Sequence, residues 1–321
     1  MSGPQPSGER FVDVGDDGGR SAAGTSFRRA PHPGITLCYD TFGDPADPPL
    51  LLVMGLGMQM IAWHDDFCAG LAAEGFHVVR FDNRDTGRST SGHGPPPGLR
   101  QLVTRRFGRH QYTLEDMADD AAGLLRELDL APAHVVGASL GGMVAQTLAA
   151  RHPDSVRTLT SIMSTTGNRF RGQPALGVYR HLLAQAPRER EAFIEHVAKI
   201  FAVIGSPGFP TDPEEVRERA ARSFDRGLNR AGTGRQLAAV LKSGDRTSDV
   251  RRITAPTLVI HGSADRLVAP SGGRATADAI AGAELMVIDG MGHDLPRALW
   301  PRIIAAVAER ARRADGVLQA A

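Results

Sequence analysis

Three side chains of this sequence have the types and the order needed for acyl transfer through a nucleophilic serine. Ser139 lies in the pattern Gly-x-Ser-x-Gly, between Gly137 and Gly141, and Asp265 and His293 follow it along the chain. A serine hydroxyl is a weak nucleophile near neutral pH, so it needs a base within hydrogen-bond reach, which a carboxylate in turn orients. The pattern therefore predicts Ser139 as the nucleophile, His293 as the base and Asp265 as the orienting acid.

Each of these side chains follows a run of residues that is predicted to be a strand. The apolar run 134–136 ends at a glycine, and an alanine-rich helical segment begins directly after Ser139. The apolar runs 256–260 and 284–288 precede Asp265 and His293. Because functional groups in parallel sheets collect at the carboxyl ends of the strands, we expect the three side chains to meet there. The order Ser, Asp, His is typical of a nucleophile on a strand-to-helix turn.

Each part of this pattern has a second interpretation when it stands alone. Glycines around a serine also occur in ordinary turns, Asp265 is compatible with a simple loop acid, and His293 is compatible with a surface histidine. The agreement of chain order and placement favours the catalytic interpretation. Other acids that compete for the orienting role are Asp289, Asp294 and Asp82.

A glycine-rich loop, residues 55–58, follows the unbroken apolar run 50–54. The backbone N–H of Leu56, together with that of Leu140 after the serine, is predicted to hold a developing oxyanion. The alternative for this loop is a plain link between a strand and a helix. The apolar side chains nearby predict a hydrophobic ester of small or medium size, although an apolar loop is more often part of the core than a substrate wall. The residues expected to line the substrate pocket are Gly55, Met58 and Trp63.

The order of predicted elements indicates an α/β fold with a mostly parallel central sheet flanked by helices. Over 168–251 the alternation of strands and helices stops, and we interpret this stretch as a helical cap, inserted after the sixth strand and serving as a lid. Ordinary surface helices are the alternative. The expected division is a mobile N-terminal segment 1–30, a first core part 31–167, the cap 168–251 and a second core part 252–321.

Composition excludes several classes of function. The chain has 321 residues with 37 basic and 36 acidic side chains, which does not suggest a nucleic-acid or membrane surface. The cysteines Cys38 and Cys68 are predicted to be buried free thiols. Because no long apolar run exists and the first thirty residues lack the apolar core of a signal peptide, we expect a cytoplasmic protein without membrane insertion. The sequence leaves the oligomeric state open between a monomer and a homodimer.

The charged stretch 82–89 has two interpretations. It follows the predicted strand 76–81 and contains two aspartates and two arginines. A metal or phosphate site is one reading, but the stretch has no recognisable ligand spacing. We therefore expect a salt-bridged structural turn and no metal.

Several segments resemble a known family. The segments 53–55 (Val-Met-Gly), 81–89 (FDNRDTGRS) and 290–296 (GMGHDLP) are similar to the bacterial branch of the α/β-hydrolase fold superfamily that includes aclacinomycin methylesterase and related carboxylesterases. Most capped relatives have a histidine where this chain has Met54, and the methionine matches the methylesterase branch. Epoxide hydrolases and haloalkane dehalogenases of the superfamily have a nucleophilic aspartate, so Ser139 argues against both. The resemblance runs from about Ile35 to the last helix.

Together these observations predict hydrolysis of a small-molecule carboxylic ester through an acyl-enzyme, without a cofactor. The resemblance adds a methyl ester on a polyketide-like molecule as one candidate substrate. The same triad would also serve lactone or thioester hydrolysis, carbon–carbon cleavage or cofactor-free perhydrolysis. A ligand-binding relative with negligible turnover is the alternative that is not an enzyme.

Overall fold

The computed structural model of the protein describes residues 5–15, 34–92, 94–178 and 186–320. The strands of these residues form one sheet in the order β1-β2-β4-β3-β5-β6-β7-β8. β2 pairs antiparallel with β1 and β4, and the remaining neighbours pair in parallel. The prediction of a mostly parallel central sheet is therefore confirmed. The strands are β1 Arg10–Asp13, β2 Thr36–Phe42, β3 Pro49–Val53, β4 His77–Phe81, β5 Ala133–Ala138, β6 Val156–Ile162, β7 Thr257–Gly262 and β8 Glu284–Ile288.

Helices cover both faces of this sheet. Leu51 and Val53 of β3 pack into the same core as the apolar sides of α3 and α4, whereas Leu50 and Leu52 pack into the core formed with α1 and α10. Because successive side chains of a strand point to opposite faces, a strand covered on both sides has to be apolar throughout. The helices are α1 Asp65–Ala73, α2 Leu99–Thr104, α3 Leu114–Glu127, α4 Leu140–Arg151, α5 Arg190–Ile204, α6 Pro213–Arg226, α7 Arg230–Ser243, α8 Thr247–Val250, α9 Pro270–Ala279 and α10 Trp300–Ala320.

Within the N-terminal segment 1–30, most of which was expected to be mobile, residues 10–13 are ordered as a strand. These residues form β1, which pairs with β2 at the edge of the sheet. The backbone hydrogen bonds of this pairing hold the segment in place, and Glu9 just before it forms an ion pair with Arg226 of α6. Residues 1–4 and 16–30 of the expected mobile segment lie outside the described residues.

The segment between β6 and β7 contains α5, α6, α7 and α8. Their position agrees with the prediction of a helical insertion after the sixth strand. Part of the expected cap, residues 179–185, lies outside the described residues. Among the described helices, none combines the length and the apolar character needed to cross a membrane.

Both cysteines are buried free thiols, as the sequence predicted. Burial raises the pKa of Cys38 and of Cys68 to about 12. Because the thiolate is the reactive form of cysteine, neither side chain is poised to act as a nucleophile.

Candidate active site

Ser139 lies on the turn between β5 and α4. Its backbone has φ 55° and ψ −120°, a left-handed conformation that is uncommon for a residue with a side chain. Two hydrogen bonds hold the turn on either side of the serine. The Ser139 N–H donates to the carbonyl of Ile162 over 2.9 Å, and the hydroxyl of Ser164 donates to the Ser139 carbonyl over 2.8 Å. The strained conformation is therefore fixed by β6 and by the residues that follow it.

The two glycines of the Gly-x-Ser-x-Gly pattern are needed for close packing. A Cβ atom at Gly137 would lie 2.2 Å from the carbonyl oxygen of Gly141, and one at Gly141 would lie 2.0 Å from the carbonyl oxygen of Val53. Both distances are shorter than any van der Waals contact. The absence of side chains at these positions lets α4 begin directly against β3 and β5.

The structure brings the three predicted side chains together. His293 Nε2 lies 3.0 Å from Ser139 Oγ, and His293 Nδ1 lies 2.7 Å from Asp265 Oδ2. Asp265 and His293 are 4% and 7% exposed, so their hydrogen bond is shielded from water. This chain of contacts is the arrangement in which an imidazole can remove the proton of a serine hydroxyl.

The other acids considered for the orienting role have different partners. Asp289 accepts a hydrogen bond from Ser263 over 2.7 Å. Asp82 forms an ion pair with Arg226 over 2.6 Å. Asp294 accepts a hydrogen bond from a serine that follows α5. Of the four candidates, Asp265 is the one that the structure pairs with the imidazole.

The carboxylate of Asp265 is held in the ionised form. Burial alone would raise its pKa, but the nearby imidazoles of His293 and His261, which favour the negative charge, hold the pKa of Asp265 well below its usual value. Its Oδ1 also accepts hydrogen bonds from the N–H groups of Leu267 and Val268, at 2.9 and 2.8 Å. These contacts orient the other oxygen, Oδ2, toward the imidazole of His293.

His261 is a site residue that the sequence analysis did not single out. Its Nε2 lies 2.8 Å from the carbonyl of Val268 and 3.4 Å from Asp265 Oδ2. The residue is fully buried, so it braces the loop that carries Asp265. The available signal was its spacing four residues before the aspartate, which is too common in sequences to be informative.

The loop after β3 lies against the serine. A Cβ atom at Gly55 would lie 3.2 Å from the Cβ of Ser139. Among the described residues, the backbone N–H groups of Leu56 and Leu140 have no protein acceptor. Leu140 is also the first residue of α4, where unpaired N–H groups and the helix dipole favour negative charge. Both groups are therefore free to donate to a bound oxyanion.

The residues predicted to line the pocket have different surroundings. Gly55 lies against Ser139, and Met58 is half-buried at the edge of the core formed with α1 and α10. Trp63 is only 1% exposed and stacks on Phe67 of α1 with ring centroids 5.6 Å apart. This placement makes Trp63 part of the core and does not support a role in the pocket.

The charged stretch 82–89 is a salt-bridged turn. Besides the ion pair of Asp82, Asp85 pairs with Arg235 of α7, and Arg84 pairs with Asp120 of α3 over 2.5 Å. Its aspartates are thus paired with arginines, which leaves them no free charge for a cation. Among the described residues, no group of three or more histidine, cysteine or acidic side chains is arranged to hold a metal.

The loop that carries His293 is held by the end of α5. The His293 N–H donates to the carbonyl of Ile204 over 2.7 Å. The hydroxyl of Ser206 accepts from the N–H of Gly292 over 2.8 Å and donates to the carboxylate of Asp294. The side chain of Ser206, from the segment between β6 and β7, thus binds the residues directly before and after His293.

Comparison with known proteins agrees with this geometry. Residues 48–296 match the family described as alpha/beta hydrolase fold. The chain belongs to the alpha/beta hydrolase fold family. The matched range includes the serine, the aspartate and the histidine described above.

Similar proteins include enzymes that act on esters. The chain is 30% identical over 305 residues to rhodomycin D methylesterase DauP of Streptomyces sp. (strain C5), covering 87% of this chain and 96% of the relative. Rhodomycin D methylesterase DnrP of Streptomyces peucetius is 30% identical over 303 residues, with the same coverage. Among solved structures, the enol-lactonase of Burkholderia xenovorans LB400 has a TM-score of 0.67 and 25% identity, covering 86% of this chain and 96% of that chain.

Ser206→Ala is expected to destabilise the histidine loop. The substitution removes a partner from the Gly292 N–H and from the buried carboxylate of Asp294, so we expect a loss of about 1–3 kcal/mol in the free energy of unfolding. Urea unfolding followed by circular dichroism measures this loss.

Ser263→Ala is the matched control. The hydroxyl of Ser263 also accepts from a glycine N–H, that of Gly290, and donates to an aspartate, Asp289, but the site is exposed. We expect its cost to stay below about 0.5 kcal/mol, because water replaces the lost hydrogen bonds. Equal losses for the two variants would contradict the importance of Ser206.

Proposed function

We propose that this protein is a carboxylic ester hydrolase that forms an acyl-enzyme on Ser139. The observation that carries the proposal is the hydrogen-bonded chain from Ser139 Oγ through the imidazole of His293 to Asp265. Membership of the alpha/beta hydrolase fold family and the two methylesterase relatives support the same activity. The substrate is a small-molecule ester.

In the first half of the reaction, His293 Nε2 accepts the hydroxyl proton as Ser139 Oγ attacks the ester carbonyl. Asp265 keeps the remaining proton on Nδ1 and stabilises the imidazolium that forms. The negative charge that develops on the carbonyl oxygen is held by the N–H groups of Leu56 and Leu140. Collapse of the tetrahedral intermediate breaks the bond to the alcohol oxygen, which takes the proton from His293.

In the second half, a water molecule repeats the attack on the acyl carbon. His293 removes one proton from this water, and the same N–H groups hold the second oxyanion. The bond to Ser139 Oγ breaks, the serine recovers its proton from the imidazolium, and the carboxylic acid leaves. Each step uses proton transfer and hydrogen bonding by the side chains and backbone named here.

For the substrate, we propose a methyl ester of a hydrophobic small molecule. The names of the two relatives supply the methyl ester, and the partly buried apolar side chains of Leu56 and Met58, in the loop whose Gly55 lies against the serine, support an apolar binding surface. We also propose that the segment 168–251 acts as a cap that shapes this pocket, because its helices contact the loops of the site. A lactone is the second candidate, since a lactone is a cyclic ester and the chain resembles an enol-lactonase.

Labelling with a fluorophosphonate probe tests the proposed nucleophile. The parent protein is expected to be labelled on Ser139 and to hydrolyse short and medium p-nitrophenyl esters. Ser139→Ala and His293→Ala should lose labelling and lose kcat by on the order of 10⁶-fold. Methyl esters, a lactone and a diketone assayed in parallel distinguish the substrate classes.

The control variants for this experiment remove a serine and a histidine that lie outside the proposed site. Ser263→Ala removes an exposed serine, and His152→Ala removes a histidine that also pairs with an aspartate, Asp119, at 2.8 Å. Both should label like the parent. A folded parent that is not labelled and turns over no ester would overturn the proposal in favour of ligand binding without turnover.

Asp265→Asn is expected to lower kcat by about 10⁴-fold with little loss of fold. The asparagine oxygen can still accept from the N–H groups of Leu267 and Val268, but its NH₂ group faces His293 Nδ1 and favours the wrong tautomer of the imidazole. Steady-state kinetics and thermal unfolding measure the two effects. A variant with parental kcat would exclude Asp265 as the orienting acid.

The pH dependence follows from the lowered pKa of Asp265. Because the pKa in the folded state lies below the unfolded value of about 3.9, ionisation of Asp265 stabilises the fold above that pH. The contribution is lost as the pH falls toward the folded pKa. An acid limb in kcat above about pH 4 should therefore not report Asp265, and a pH profile of kcat measured beside urea unfolding over the same pH range checks both expectations.

A further inference from the structure

The loop that carries Leu56 is a tight turn with a defined geometry. The carbonyl of Gly55 accepts a hydrogen bond from the N–H of Met58 over 3.2 Å, and Gly57 has φ +66°. This bond between the first and fourth residues, with positive φ at the third, is typical of a type II turn. The type I turn, which closes with the same bond, has the opposite orientation of the peptide between Leu56 and Gly57. An additional contact is therefore needed to fix that peptide.

Gln236 of α7 makes this contact from the helical segment. Its Oε1 accepts from the Gly57 N–H over 2.8 Å. Its Nε2 donates to the carbonyl of Arg84 over 2.9 Å and to the hydroxyl of Thr86 over 2.7 Å. The side chain is fully buried. The Gly57 N–H can only donate and the Arg84 carbonyl can only accept. These two partners therefore fix which end of the amide is the oxygen and which is the nitrogen.

Other contacts keep α7 close to the turn. A Cβ atom at Gly57 would lie 2.7 Å from the hydroxyl oxygen of Thr233, one turn before Gln236. The guanidinium of Arg235 forms an ion pair with Asp85 and donates to the carbonyl of Gly94 over 2.6 Å. The helix is thus fixed to the core at the residues that flank Gln236.

The flanks of the turn are held by the charged stretch 82–89. Asn83 donates to the carbonyl of Met54 over 2.9 Å, and Asp82 accepts from the N–H of Met60 over 2.7 Å. Neither of these contacts reaches the central peptide. Among the described side chains, Gln236 is the one that binds it.

We propose that Gln236 is a positioning residue for the oxyanion site, acting from the helical segment through the peptide between Leu56 and Gly57. The inference rests on the proposed function, because it assigns to Gln236 the orientation of the turn that presents the Leu56 N–H. Without the amide, the part-buried Gly57 N–H loses its acceptor, and the turn loses the contact that ties it to α7 one residue after Leu56, so the direction of the Leu56 N–H is no longer fixed. The loss falls on the transition state, where the carbonyl oxygen carries charge, and spares substrate binding.

Gln236→Met tests the proposal, because it keeps the length of the side chain and removes both hydrogen-bonding ends. We expect kcat for a p-nitrophenyl ester to fall about 10-fold or more with KM within about 2-fold, since removal of a whole oxyanion donor costs about 10²–10³. The affinity for a trifluoromethyl ketone, which forms a charged tetrahedral adduct with the serine, should fall in parallel. Gln236→Glu restores an acceptor for Gly57 and should recover part of kcat.

Gln111→Met is the matched control. Gln111 is also buried, and its Nε2 donates over 2.9 Å to the carbonyl of Arg235 on the same helix, but it does not contact the turn. It should keep kcat within about 2-fold of the parent, and thermal unfolding of every variant checks that the fold is intact.

Three results would overturn the positioning role: parental kcat in Gln236→Met, a loss confined to KM, or an equal loss in Gln111→Met. If Gln236→Met does not fold, Gln236→Leu takes its place, because leucine also removes both hydrogen-bonding ends, and parental kcat with parental trifluoromethyl ketone affinity in that variant would count against the role. An inactive parent would instead contradict the ester hydrolase function itself.

Discussion

The close approach of α4 to the end of β3 is the constraint on which the site depends. It exists because Gly141 has no Cβ atom, which would otherwise lie 2.0 Å from the carbonyl of Val53. This packing forces the chain at Ser139 into a left-handed conformation that costs on the order of 1–3 kcal/mol, and the buried sheet around it supplies the stability that maintains it. As a result, the Ser139 hydroxyl lies within hydrogen-bond distance of the His293 imidazole. The N–H of Leu140, the first residue of α4, has no protein acceptor among the described residues. A single backbone arrangement therefore sets the positions of the proposed nucleophile, Ser139, and of one proposed oxyanion donor, the Leu140 N–H.

The helices between β6 and β7 take part in this arrangement from the other side. The end of α5 binds the backbone of His293 and its neighbours, and α7 binds the turn that contains Leu56. Two parts of the site that lie far apart in sequence are thus braced by one inserted segment. A displacement of this segment would disturb His293 and the turn that contains Leu56 together, so under the proposed function it would change the alignment of the reacting groups.

The sequence predicted those parts of the site that follow from local patterns. Ser139, Asp265 and His293 were found because each follows a strand of a parallel sheet, and such strands end at the same edge. Gln236 and Ser206 could not be found this way, because they lie in helical and loop segments and meet partners 179 and 86 residues away in the chain. Trp63 was assigned to the pocket because an aromatic residue near the glycine-rich loop suits a substrate wall, yet core packing against α1 decides its position. The strand at residues 10–13 depends on pairing with β2, a partner that its own short sequence does not specify.

Direct detection of the covalent intermediate tests the central claim of this account. A slowly deacylating p-nitrophenyl ester is mixed with the protein, quenched with acid at short times, and the intact and digested protein is weighed by mass spectrometry. The account predicts a mass increase equal to the acyl group, located on the peptide that contains Ser139, which appears at the rate of the p-nitrophenol burst and decays at the steady-state turnover rate. Turnover of the ester without any acyl adduct on that peptide, or an adduct on another residue that forms and decays at those rates, would contradict it.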